Sequence, residues 1–409
     1  FSVKVAQAFG ANDEEKMRRA VGMSYLLCIV VAAAATAIAA PLTAPLLRLM
    51  QTPAAYYDYA YWYLLVIFCG IGATVFYNIV AGLLRAVGDS RTPLVFLVLA
   101  AILNVGLDFA FIVGFRWHYC GAAIATVLSQ LISGAACLVY ALCRYPALRP
   151  RRSDFRWDTR LAMGHFAVGL PMALQFSITA IGCIVQQTAL NGLDASYPGA
   201  VTAYTAASKI DNIANQAFAA LGTAFATYAA QNYGAGEYGR IRRGVFVGMV
   251  YVLASAVIGF AFAVGLCEPL MKLFLNTDLS ADVADNYDAI IGYGRQYLLW
   301  QCAFYPFLGA IFVFRNTLQG IGKSAVTTFA GVTELAGRIL ASLVFVRIWG
   351  FAGICSSNPV AWVAAVLFLV TTYIVVMRRQ AKGEIPDGRT RSHRRRLRRS
   401  CRIAVRKAS

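Results

Sequence analysis

Long apolar runs broken by short polar segments set the rhythm of this chain. Stretches 21–47, 94–113 and 360–376 are nearly free of charge. Each is close to the ~20 residues that a helix needs to cross a hydrocarbon core of ~30 Å. Backbone N–H and C=O groups cannot stay unpaired in lipid, so runs of this length are read as helices. The period-two alternation of a membrane β-barrel is absent. The pattern predicts an all-α polytopic membrane protein with ten full spans, near 21–48, 59–84, 93–115, 120–143, 162–190, 199–230, 244–275, 290–318, 325–347 and 352–377.

Composition agrees with this. Of 409 residues, 59% are hydrophobic and 14% charged, against roughly 25% charged in a soluble domain. Such a chain cannot cover itself with a hydrated surface. Net charge is +18, unevenly distributed. Alternate loops carry Lys16, Arg18 and Arg19; Arg91; Arg144, Arg149, Arg151, Arg152, Arg156 and Arg160; Arg240, Arg242 and Arg243; and Lys323. The intervening loops are poor in bases, and one holds Asp278, Asp282, Asp285 and Asp288. The positive-inside rule puts the first set in the cytoplasm, together with a linker at 144–160 and a basic tail at 378–409. The tail is read as a polybasic segment near anionic headgroups, not as a nucleic-acid site. Ten scattered cysteines and three distant histidines offer no metal-ligand spacing.

The chain contains an internal repeat. FSVKVAQAFGANDEEKMRRA at Phe1 aligns with FATYAAQNYGAGEYGRIRRG at Phe225, keeping Gln7 on Gln231, Gly10 on Gly234, and Arg18 and Arg19 on Arg242 and Arg243. LRAVGDS at Leu84 aligns with LQGIGKS at Leu318, an offset of 234 residues. Two pseudo-symmetric helical bundles are therefore expected: an N-lobe at 1–143 and a C-lobe at 161–377. Repeats of this kind are a mark of secondary transporters. The segment 161–224 has no counterpart ahead of Phe1, so the N-lobe is expected to lack its first span and most of its second.

Polar groups inside apolar runs are the candidate chemistry. Asp108 lies deep in a span, where an ionised carboxylate must be paired, interior-facing or protonated. Asn104 is one helical turn earlier, and Thr126 lies on the next span. Carboxylate, amide and hydroxyl oxygens suit Na⁺, while a desolvated carboxylate equally suits a proton. Glu334 and Arg338, four residues apart, are expected to form an internal ion pair. Lys209 and Asp211 have a similar reading. Tyr56, Tyr57, Tyr59, Tyr61, Trp62 and Tyr63 form an interfacial aromatic belt. GIGKS at Gly320 is not a phosphate loop, because Thr317 stands where its first glycine belongs. No second carboxylate converges on Asp108 in a catalytic motif, so the chain is not expected to be an enzyme.

Together, VAQAFGA, GLLRAVGDSRTP, NVGLDFAFI, GAAIATVLSQ, GLPMALQ and YAAQNYGAG resemble the MATE (multidrug and toxic compound extrusion) family, from about residue 1 to 378. The resemblance implies two six-helix bundles, alternating access, and H⁺- or Na⁺-coupled antiport that exports amphipathic or cationic compounds. No cofactor is implied. It further implies a monomer in the inner (plasma) membrane, among lipids, acting on small organic substrates. Asp108, Asn104 and Thr126 match the N-lobe cation site of one branch of the family. Asn78 matches a drug-cavity position, and Gln175 is a second candidate for substrate contact. Another branch carries a glutamate on the span that holds Gln175, and here that span has no carboxylate. The alternative is a lipid-linked saccharide flippase of the same superfamily. It would want several basic groups in the cavity, for which Arg338 is the evident mid-span candidate.

Overall fold

The computed structural model describes residues 1–50, 52–193, 196–275 and 286–382. The acidic loop at 278–285 and the tail beyond Lys382 lie outside the described residues. Described secondary structure is entirely helical, and the chain divides into two compact units, Phe1–Phe166 and Ala167–Ser409.

The first unit holds α1 (Ser2–Gly10), α2 (Glu14–Leu49), α3 (Ala54–Cys69), α4 (Ile71–Ala86), α5 (Arg91–Asp108) and α6 (His118–Arg144). The Asp13 side chain caps α2 by accepting from the Lys16 amide at 3.1 Å. Helix α5 runs on as a π-helical segment, Phe109–Gly114. Leu94, Val98, Ile102 and Val105 of α5 are all more than half exposed. A soluble protein rarely leaves such a stripe bare, and acyl chains are its natural solvent. The basic linker is folded onto this unit: Asp154 accepts from the Arg151 amide at 2.8 Å and lies 3.9 Å from Arg18.

The second unit holds most of α7 (Thr159–Asn191), then α8 (Ala200–Ala235), α9 (Tyr238–Phe274), α10 (Tyr287–Gly320), α11 (Ser324–Leu340), α12 (Val346–Trp349) and α13 (Phe351–Ala381). Between α11 and α12 the helix again widens to a π turn, Ala341–Phe345. Helix α10 runs through the core, with Tyr297, Leu298, Val313 and Leu318 fully or almost fully buried.

Among the described residues eight helices are individually long and apolar enough to span a bilayer. Helices α3 and α4, bent by 41° about Gly70, would make a ninth. The expected span at 199–230 is present as the 36-residue α8, but it is too polar to pass on hydropathy. The reason is physical: Asp211, Asn212, Asn215 and Gln216 on α8 line an internal cavity.

The repeat survives in backbone detail. Gly88 and Gly322 both adopt left-handed conformations (φ 95° and 84°). The next amides reach back alike, Asp89 to Leu84 at 3.0 Å and Lys323 to Leu318 at 2.8 Å. Asn12 and Gly236 form the other matched pair (φ 51° and 75°), closing Asp13 to Ala8 at 3.1 Å and Glu237 to Asn232 at 2.8 Å. These turns are helix C-caps that need positive φ, which Gly and Asn tolerate best.

Candidate functional site

In the first unit, α4, α5 and α6 line an open cavity of about 310 Å³. Asn78, Asn104, Thr126, Ser129 and Gln130 line it. The sequence-predicted residues Asn78, Asn104 and Thr126 are thus brought together. Asn104 donates to the Thr126 hydroxyl at 3.4 Å, and that hydroxyl donates to the Ala122 carbonyl at 3.0 Å. Asn78 spends its amide on the Thr74 carbonyl of its own helix, at 2.8 Å. Asp108 is not in the lining. It stands one turn beyond Asn104, at the junction with the π segment, and its Oδ1 is buried without a hydrogen-bond partner. π turns recur at functional sites because they displace side chains from the regular helical register.

The second unit contains a larger cavity, about 530 Å³, between α7, α8, α10, α11 and α13. Gln175, the other candidate for substrate contact, lines it and accepts from Gln319 at 3.4 Å. Glu334 and Arg338 form the expected ion pair, at 3.0 Å. A third member went unread in the sequence: Arg315 of α10 bonds the other oxygen of Glu334 at 2.8 Å. All three are at least 92% buried. Arg338 also donates to Asn358 Oδ1 at 3.2 Å and to the Thr179 carbonyl at 3.2 Å. Gly182 makes room for this, since a β-carbon there would lie 3.0 Å from Arg338 Cδ.

Asp211 departs from its expected pairing with Lys209. It accepts from the Tyr305 hydroxyl at 2.9 Å and from Asn215 at 3.0 Å, while Lys209 lies over the Phe274 ring. Residues two apart on a helix project in different directions, and here they diverge. The signal for Arg315 was the short turn at 321–323. It folds α10 back along α11, leaving Arg315 and Glu334 about five residues out of step, a ~7.5 Å gap that two long side chains can close.

A MatE family profile matches residues 1–110 and 171–342. The probable multidrug resistance protein YpnP of Bacillus subtilis is 31% identical over 280 residues, 68% of this chain and 59% of that protein. The FAD transporter of Shewanella oneidensis is 25% identical over 333 residues, covering 78% and 68%. A MOP superfamily transporter from Pyrococcus furiosus shares the fold, with a TM-score of 0.82 at 20% identity over 93% of this chain and 82% of that one. The chain spans about three-fifths of the length of its Bacillus relative. With more than half of its residues matched by the family profile, this polytopic all-α membrane chain belongs to the MatE family.

Proposed function

We propose that the protein is a multidrug exporter of amphipathic organic compounds, cationic ones included, driven by antiport of H⁺ or Na⁺ through alternating access. Its relatives named as multidrug resistance proteins support the transport class. The observation that carries the coupling role is Asp108, whose Oδ1 is buried and unpartnered at a helix-to-π junction one turn beyond Asn104. A buried carboxylate oxygen left without a donor is costly, so a proton or cation that satisfies it is bound with a free-energy advantage. Asn104 turns its amide nitrogen to Thr126, leaving its carbonyl oxygen for such an ion. The cycle follows from charge. Ionised Asp108 favours a cationic substrate, and an external H⁺ or Na⁺ then neutralises it and favours release. The linker and tail are cytoplasmic in this reading, the membrane is the plasma membrane, and the working unit is a monomer.

The test is ethidium efflux from proteoliposomes, driven separately by a pH gradient and by a Na⁺ gradient. One of the two should accelerate efflux, and Asp108→Asn should reduce the driven rate to the undriven one. An Asp108→Asn protein that exports at the wild-type driven rate would sink the coupling role.

A further inference from the structure

Two buried guanidinium groups share one carboxylate in the cavity of the second unit. Arg338 is fully engaged, by Glu334, Asn358 and the Thr179 carbonyl. Arg315 is not. It is 92% buried and bonds Glu334, yet its Nε has no hydrogen-bond partner. A guanidinium offers five N–H donors in a planar fork suited to a carboxylate or phosphate. Asn316 on the same helix lines the cavity beside it, and its amide, which gives one N–H to the Phe312 carbonyl at 2.8 Å, keeps a second. Phe176, Phe312 and Trp362 supply apolar wall. Asp211, the remaining charged lining residue, is held by Tyr305 and Asn215 and forms no ion pair with either arginine.

The repeat sharpens the contrast. The offset of 234 residues carries Asn104 onto Arg338 and Asp108 onto Ser342. The contact that Asn104 makes with Thr126 of the following helix has its counterpart in Arg338 with Asn358. At one place in the fold, the first repeat presents an amide and a carboxylate, and the second a guanidinium and a hydroxyl.

We propose that the second-unit cavity is a binding site for an organic oxyanion, a carboxylate or phosphate on an aromatic or aliphatic body. Arg315 makes the paired contact and Arg338 supplies a fixed second positive charge. Glu334 and Asp211 balance the arginines when the site is empty and oppose the ligand's charge when it is full. Removing either carboxylate therefore tightens binding. The site does not depend on coupling at Asp108, and its test needs no gradient.

The probes are fluorescein, an anionic xanthene, and rhodamine 123, a cationic one, titrated by polarisation against the protein in phosphatidylcholine nanodiscs. Fluorescein should bind saturably and be displaced by phenyl phosphate. Arg315→Gln should weaken it about tenfold or more, the loss expected for a charge-assisted contact. Glu334→Gln and Asp211→Asn should each tighten it, a gain that misfolding cannot mimic. Adding phosphatidic acid to the discs separates the sources: competition marks a lipid-borne oxyanion, no competition a soluble one, and both outcomes keep the site. Unchanged fluorescein affinity in Arg315→Gln would overturn the proposal. So would loss of binding in both carboxylate variants, or a wild-type preference for rhodamine 123.

Discussion

Replacing Glu334 by Gln separates an ion cluster from mere packing. The change keeps the side chain's size and removes the carboxylate shared by Arg315 and Arg338, at 2.8 and 3.0 Å. Two buried guanidinium groups are then left together without the carboxylate that paired them, and Asp211 in the same cavity bonds neither. Removing one partner from a buried ion pair costs about 3–5 kcal/mol. Arg315→Gln is different, because Glu334 keeps Arg338; the loss is one charge-assisted hydrogen bond, about 1.5–3 kcal/mol. At ~2–4 °C per kcal/mol for units of this size, Glu334→Gln should lower the melting midpoint by ~6–20 °C. Arg315→Gln should lower it by about half as much. The double variant should be more stable than Glu334→Gln alone, since it removes one of the stranded charges. Detergent-solubilised protein heated with a thiol-reactive fluorophore reads this directly, because Cys302 and Cys355 are buried in the same unit. Wild-type melting of Glu334→Gln would refute the electrostatic reading, as would a double variant whose losses simply add.

Two further outcomes follow from geometry elsewhere. Gly320→Ala would put a β-carbon 2.5 Å from the Ala226 carbonyl oxygen and 3.0 Å from the Ala230 nitrogen, both backbone atoms of α8. Helices α8 and α10 must part, so the variant should lose about 1–3 kcal/mol, visible as a lowered melting midpoint. Asp89, in the turn after α4, is raised by partial burial but drawn further down by hydrogen bonds from Thr92, Tyr145 and Arg91, so it lies below its ordinary 3.8. A depressed carboxylate stabilises fully above its unfolded value and loses that contribution as pH falls through its folded one. Amide-exchange protection of this turn should therefore fall below pH 3.8 in the wild type and stay flat in Asp89→Asn.

What the sequence disclosed and what it withheld divide along a physical line. Hydropathy located the helices, because lipid leaves an apolar segment few alternatives. The repeat showed in Gln7 and Gln231, in Gly10 and Gly234, and in Gly88 and Gly322, the last pair because a left-handed cap restricts which residues can stand there. Glu334 with Arg338 was legible because four residues on a helix bring side chains together. Arg315 was harder to read, since its partner lies on another helix and only the short turn between the two relates them. Helix α8 was read as a span from its length, although its polar residues face a cavity and lower its mean hydropathy. Asp108 was found, but nothing in its spacing from Asn104 announced that it stands outside the lining shared by Asn78, Asn104 and Thr126.

Those π turns lead to the last prediction. They occur at repeat-related places, yet FAFIVG and ASLVF have little in common, so the sequence of the turn is not its cause. Each instead meets a glycine farther along the chain, Gly121 on α6 and Gly353 on α13. A β-carbon on Gly121 would lie 2.9 Å from Phe111 Cβ, and one on Gly353 would lie 2.5 Å from the Phe345 carbonyl carbon and oxygen. The two contacts differ in kind. Phe111 offers a side-chain atom at its nearest point, whereas Phe345 offers rigid backbone. Gly353→Ala should thus displace the second π turn and disturb Arg338 and Asn358, one to two turns away, at a cost of about 1–3 kcal/mol. Gly121→Ala should cost less. The check is the melting midpoint of both variants together with fluorescein affinity, which should fall in Gly353→Ala and hold in Gly121→Ala. Equal melting of the two variants, with affinity unchanged in both, would mean that the glycines do not set the π turns.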